Sequence, residues 1–333
     1  MLGYLARRLL YVIPTLLAIS VVVFLIINLP PGDFATSLVA YRRQQGIAVG
    51  PEEVRQVRAA YGLDKPIFVQ YWYWISDLLF RFDLGISFEF NRPVADMIAE
   101  RLPATMLLAA AALLFTWAFA FPIGVYAAVR QYSVGDYLAT TLGFLGLATP
   151  NFLLALIFMY FGYRWFDYVP AGMCSPEWCD ASWNLGKLLD ALGHLWLPVV
   201  VLGTAGMAGL IRILRANLLD ELRKPYVVAA RARGVPERRL LVKYPLRVAM
   251  NPFISTVGWV LPGLFAGDII VGQLLGLPTI GPLLLGALRQ QDMYLAGSLI
   301  MVISVLTVIG TLISDLLLAW TDPRVRLGHG GSS

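Results

Sequence analysis

The chain has 333 residues, of which 58% are hydrophobic and only 14% charged, with a mean hydropathy of +0.69, a balance that excludes an ordinary soluble domain and reads as an integral membrane protein. The net charge of +5 sits beside apolar runs, where it marks the inner side of a membrane rather than a nucleic-acid surface. Two cysteines and two histidines leave little material for metal or thiol chemistry, and no metal site is expected.

Met1 to Arg8 is short and basic, and the apolar run from Leu9 to Leu29 is about long enough for the ~30 Å hydrocarbon core. Arg7 and Arg8 hold its start inside. Its length, with no small-residue cleavage pattern before Pro30 and Pro31, marks a retained anchor rather than a signal peptide. Residues 30–102 mix charge with aromatics and contain no window apolar enough to cross, so they read as an external subdomain. Loops beyond ~60 residues translocate whatever their charge. Pro51-Glu52-Glu53 opens a helix, since proline and acids suit a first turn. The aromatics Phe68, Tyr71, Trp72, Tyr73, Trp74, Phe80 and Phe82 read as interfacial packing rather than as a ligand cage.

A second span runs from about Leu102 to Val129, against Arg130. A third covers about Tyr137 to Tyr163, with Thr149-Pro150-Asn151 in its middle, where Pro150 bends or partly opens the helix. Asn151 is either a polar group on a translocation path or a donor between helices. The Arg164 to His194 segment is external and holds Cys174 and Cys179, close enough for one small-loop disulfide in an oxidising compartment, with two free thiols as the alternative. His194 belongs at the interface, bound to backbone or water. The fourth span, about Leu195 to Leu214, carries Gly203, Gly206 and Gly209, which permit close helix approach. A fifth runs from Asn251 to about Val271. Asp268, near its outer end, is either a path residue or a hydrated interfacial acid. Residues 272–294 hold Gly276, Pro278, Gly281 and Pro282 and are expected as a re-entrant or external hairpin. A final span from about Leu295 to Trp320 precedes a flexible tail.

The reading is all-α, six transmembrane helices with both termini cytoplasmic. Residues 1–29 form the N-terminus and first helix, 30–102 the external subdomain, 103–320 the membrane core with a cytoplasmic segment at 212–250, and 321–333 the tail. Arg7, Arg8, Arg130, the Arg212 to Arg247 stretch, Arg324 and Arg326 all fall on one side of that count.

The Arg212 to Arg247 stretch interleaves apolar residues with eight or more cations, which suggests short amphipathic helices broken at Pro225 and at Gly234-Val235-Pro236. It cannot lie in lipid, and its charge places it inside, as a surface for a partner. No phosphate loop exists: Gly186-Lys187 is followed by Leu188. There is no chain of intramembrane acids or histidines for proton coupling, and no HExxH or GxSxG. The chain is therefore not an enzyme, and any active transport takes its energy from another protein.

At these residues a resemblance appears. Tyr226-Val-Val-Ala-Ala-Arg-Ala-Arg-Gly234, followed by Arg247-Val-Ala-Met-Asn-Pro252, resembles the EAA-type coupling loop of binding-protein-dependent ABC importers, in the dipeptide/oligopeptide/nickel permease subfamily. Similar matches run along the chain at Ile13-Pro14-Thr15, Pro31-Gly32-Asp33, Tyr61-Gly-Leu-Asp-Lys-Pro66, Asp83-Leu-Gly-Ile-Ser87 and Asp322-Pro-Arg324. The resemblance implies a type I importer permease (MetI-like) fold, of the first, B-type subunit, in a bacterial inner membrane. It implies a homologous second permease, two ATPase subunits carrying the ATP and Mg, an external or periplasmic solute-binding protein, surrounding lipid, and no cofactor on this chain. The implied ATPase-coupling residues are Tyr226, Ala229, Ala230, Arg231, Arg233 and Gly234: the glycine ends a short helix, and the two arginines face acids on the partner. Thr149, Asn151, Thr204 and Asp268 are the expected polar lining of the path. The Leu219 to Tyr226 run leans toward peptides or peptide-like solutes, with oligosaccharide, opine and nickel as other cargoes of relatives; a passive channel or an exporter subunit is the rival from outside the importers. The chain departs from the pattern at Gly272, Leu275 and Leu277-Pro-Thr-Ile-Gly281, where relatives carry an acid, an aromatic and Trp-Pro-Gly-Leu-Gly. The hairpin is expected to keep its shape through Pro278 and Gly281.

Overall fold

A computed structural model describes residues 2–29, 32–44, 50–179, 181–182 and 184–321, with side chains outside the description at 2–9, 40–41, 43–44, 257, 259–262, 265–268 and 319–321. The expected tail, with Asp322-Pro-Arg324, lies outside the described residues apart from its first residue. Among the described residues the regular structure is helical, with one isolated antiparallel bridge between Ile86 and Pro93. The helices are α1 (Leu2–Asn28), α2 (Phe34–Gln44), α3 (Pro51–Ala60), α4 (Ile67–Ser76, continued by a π-helical turn at Asp77–Arg81), α5 (Val94–Val129), α6 (Val134–Ala148), α7 (Asn151–Phe166) and the single turn α8 (Pro176–Cys179). They continue with α9 (Leu185–Leu222), α10 (Pro225–Ala232), α11 (Glu237–Lys243), α12 (Pro245–Ser255), α13 (Val257–Leu275), α14 (Ile280–Arg289) and α15 (Met293–Thr321). Four of these helices are long and apolar enough to cross a membrane, and the number rises to six if two bent pairs each count as one span.

Chain contacts divide the described residues into two compact units, one within 2–105 with 278–306, the other within 106–277 with 307–321. In the first unit, Pro51 occupies the first turn of α3 with Glu52 and Glu53 behind it, where a missing N–H costs nothing and acids meet the helix dipole. The aromatic series splits. Trp74 is buried and stacks on Phe24 of α1 at 6.0 Å, and the Tyr71 hydroxyl lies 3.0 Å from Ser20 Oγ. Phe68, Trp72, Phe80 and Phe82 face outward. Gly297 makes room for the Trp74 ring, since a Cβ there would fall 2.9 Å from it.

Two expected boundaries move. The second span begins at Val94 rather than near Leu102, because Val94, Met97 and Ile98, all buried, continue the helical spacing through charged residues that a hydropathy reading discards. Its Thr105 hydroxyl accepts the Ile280 N–H at 2.9 Å, capping the start of α14. The fourth span extends from Leu185 to Leu222: 38 residues at 1.5 Å each make about 57 Å, so the helix protrudes well beyond a ~30 Å core.

In the second unit α9 is the central element. Leu197, Val201 and Leu202 pack with Leu108, Ala112, Val271 and Leu275, and about two turns further along α9 Leu210, Leu214 and Leu218 pack with Ala120, Ala249 and Phe253. Gly203 sits against α5: Thr116 Oγ1 donates to its carbonyl at 2.8 Å, and a Cβ would meet the Phe115 ring at 2.6 Å. The third span breaks at Thr149-Pro150, where α6 and α7 meet at 103°; Pro150 is the N-cap of α7 and lacks the N–H that a continuous helix needs. Cys174 and Cys179 are joined by a disulfide, Cα to Cα 5.4 Å. His194 is buried, and its Nδ1 bonds the Asp190 carbonyl at 2.9 Å. The fifth span is divided into α12 and α13, and α13 stops at Gly276, whose φ of +65° is left-handed. The chain thus leaves the helix before Pro278, as the Gly/Pro spacing leads one to expect.

Candidate coupling surface

The basic stretch becomes a compact elbow. Pro225 opens α10 at its first turn, and Arg233 caps its end. Gly234 then adopts φ +76°, its N–H bonding the Arg231 carbonyl at 3.0 Å while the Val235 N–H bonds the Ala230 carbonyl at 3.3 Å. These two bonds form a Schellman motif, which a left-handed residue makes possible. Pro236 follows as the N-cap of α11. Val227 and Leu240 are fully buried beneath the elbow. Ala229, Ala232, Arg233 and Gly234 are exposed, while Ala230 is half-buried.

The two arginines differ. Arg231 spends its fork on Glu237 across the turn, Nε to Oε1 at 2.5 Å and Nη2 to Oε2 at 3.2 Å, which stiffens the elbow rather than leaving that cation free. Arg233 makes no ion pair among the described residues and lies exposed beside Gly234 at the tip. Tyr226 donates to Glu221 at 2.5 Å, tying α10 to the end of α9. Burial first, then that carboxylate, push the phenol's pKa well up, so it remains a donor throughout the physiological range.

The segment's first part belongs elsewhere. Arg212 and Arg215 lie within α9, and Arg215 clamps Asp136 of α6 with Nε to Oδ1 at 2.9 Å and Nη2 to Oδ2 at 2.8 Å. Asp136 also accepts the Tyr132 N–H at 3.0 Å, while its own N–H bonds Ser133 Oγ at 3.2 Å. The Ser-x-x-Asp spacing at 133–136 was the available signal for the cap; no local pattern pointed to the arginine 79 residues away.

The expected path residues lie at the α6–α7 break, on α9 and on α13. Thr149 ends α6 with its hydroxyl bonded to the Leu145 carbonyl at 2.8 Å, and Thr204 bonds the Val200 carbonyl at 2.8 Å. Asn151 begins α7 half-buried, with no hydrogen bond from its side chain among the described residues. α6 and α9 meet between these positions, Gly146 lying over the Thr204 carbonyl. The Asp268 side chain lies outside the described residues. Among the described residues no group of three or more His, Cys, Asp or Glu could hold a metal.

Residues 120–327 match the family described as binding-protein-dependent transport system inner membrane component, and residues 1–109 match its N-terminal part. The oligopeptide transport system permease protein AppB of Bacillus subtilis is 36% identical over 98% of this chain and 100% of its own length. The dipeptide transport system permease protein DppB of Escherichia coli K12 is 31% identical over 98% and 99%. The inward-facing MetNI methionine ABC transporter has a chain of similar fold, with a TM-score of 0.53 at 13% identity, covering 68% of this chain and 96% of that one. The chain therefore belongs to the family of binding-protein-dependent transport system inner membrane components, as a multi-pass permease of an ABC importer whose ATPase is a separate subunit.

Proposed function

We propose that this chain is the B-type half of a heterodimeric permease that moves peptides or peptide-like solutes inward, with two ATPases seated on the α10–α11 elbow. The single observation that carries the reading is that elbow: a short helix, closed by a left-handed glycine and braced by Arg231–Glu237, presents small residues and the exposed Arg233 on a chain with no phosphate loop. Where Ala229, Ala232 and Gly234 are exposed, a rigid knob seats in a groove with few long side chains to order, and so loses less entropy on docking. Arg233 then supplies a charge-assisted contact to an acid on the ATPase.

In this reading ATP and Mg stay on the ATPases, both termini and residues 212–250 are cytoplasmic, and the external binding protein delivers solute to the side carrying residues 30–102. Core residues 103–320 hold the path, lined in part by Thr149, Asn151, Thr204 and Asp268. The names of the AppB and DppB relatives support a peptide cargo. The test is an assembled importer in proteoliposomes, with a single cysteine at Ala232. The expected results are an ATPase crosslink at that cysteine and ATP-dependent uptake of labelled di- or oligopeptide. Failure of the crosslink in an otherwise assembled complex refutes the elbow, whereas uptake of nickel or an oligosaccharide in place of peptide refutes the cargo alone.

A further inference from the structure

α6 and α9 lie antiparallel, Asp136 opposite Arg215, Gly143 opposite Ala208 and Gly146 opposite Thr204. Their facing sides leave a cavity of about 210 Å³, walled by Ala139, Gly143, Phe144, Leu147, Ala208 and Ile211 and ending at Arg212 and Arg215. The wall residues of α6 recur at the spacing of one helical stripe, as do those of α9, so the cavity is a groove along both helices. Phe144 and Leu147 stand about half exposed at its lip.

Charge is confined to one end. From Leu195 to Ile211 α9 carries no charged residue, a length of about 26 Å that matches a hydrocarbon core of ~30 Å. Arg212 is the first charge beyond it, which puts its guanidinium at headgroup level. Arg215 is neutralised by Asp136. Arg212 is exposed and makes no ion pair or hydrogen bond among the described residues, so the groove's mouth carries one uncompensated positive charge. A phosphate diester with an apolar tail complements both ends at once: the anion meets a planar donor fork, and the chain covers the walls.

We propose that this groove binds one anionic phospholipid of the leaflet on the α10–α11 side, with its phosphate on Arg212 and an acyl chain along the groove beside the α6–α9 contact. A helix of the second permease is the rival occupant, but it would bury Arg212 and so would need an acid of its own to meet that charge. The site stands on α6 and α9 alone and does not depend on the cargo.

The assembled importer, delipidated in detergent and then exposed to phosphatidylglycerol or phosphatidylcholine, is read by native mass spectrometry. The parent complex is expected to retain phosphatidylglycerol in preference to phosphatidylcholine. Arg212→Gln is expected to lower phosphatidylglycerol retention about tenfold, the size of one charged hydrogen bond, while Arg212→Lys keeps most of it. Ala139→Phe, on the wall, is expected to reduce retention of both lipids. Equal retention of the two lipids, or undiminished phosphatidylglycerol on Arg212→Gln, overturns the proposal. Displacement by millimolar inorganic phosphate overturns it in favour of a free-anion site. A crosslink from Phe144→Cys to the second permease overturns it in favour of a subunit interface.

Discussion

Gly234→Val perturbs the elbow at one backbone torsion. At φ +76° the residue is left-handed, and a Cβ built there meets nothing within 4 Å, so no steric clash contributes and the cost is conformational. A non-glycine residue in that region costs about 1–2 kcal/mol, and a β-branched one lies at the upper end. Reduced freedom of the unfolded chain offsets about 0.4–1 kcal/mol of global stability, but it does not restore the turn. If the turn opens, the two Schellman bonds are lost, at about 0.5–1.5 kcal/mol each. Since about 1.4 kcal/mol is a factor of ten, the docking-competent elbow is expected to fall roughly tenfold with the transmembrane helices intact. The assay is transport-stimulated ATP hydrolysis in proteoliposomes, with assembly checked by co-purification. Gly234→Asn is the control, because asparagine tolerates the left-handed region. Full coupling in the valine variant refutes the reasoning, as does an asparagine variant that fails as badly.

Asp136→Asn leaves Arg215 without its carboxylate in a site where the acid is 4% exposed; the thermal midpoint in detergent is expected to fall, by about 2–4 kcal/mol of stability, and Arg215→Ala to fall by a similar amount. Gly203→Ala forces a Cβ to 2.6 Å from the Phe115 ring and 3.2 Å from the Ala112 carbonyl, so the α5–α9 packing is expected to lose about 1–3 kcal/mol, read as a lower denaturation midpoint. Asp292, fully buried, accepts Ser87 Oγ at 2.5 Å and the N–H groups of Leu295 at 3.1 Å and Glu89 at 3.2 Å. Burial raises its pKa against those donors, and Glu89 is raised by burial and by Asp292. The folded state therefore holds extra protons from about pH 4 up to the raised values, and stability declines as pH climbs through that window. Asp292→Asn is expected to flatten the decline, and a melting profile with unchanged pH slope counts against the burial argument.

Much of the architecture was legible in the amino-acid order, because the signals were local. Apolar runs of membrane length, the missing N–H at Pro150, proline at the start of α3 and α10, and the glycine after Arg233 each constrain a few neighbouring torsions, whatever the rest of the chain does. The basic stretch stood out for the same reason: lipid excludes its charge. Helix extents were less legible, since hydropathy marks the part of a helix that lies in lipid and is silent about the polar turns at Val94 or Leu222. Tertiary structure alone decided which charges are spent. Arg215 is committed to an aspartate 79 residues earlier and Ser87 to one 205 residues later, and Arg231 is closed onto Glu237 by the turn, whereas Arg212 and Arg233 make no ion pair among the described residues. Composition counts charges, but only packing brings a particular acid within 3 Å of a particular base, and the energy of a charge inside or beside a membrane depends on that distance.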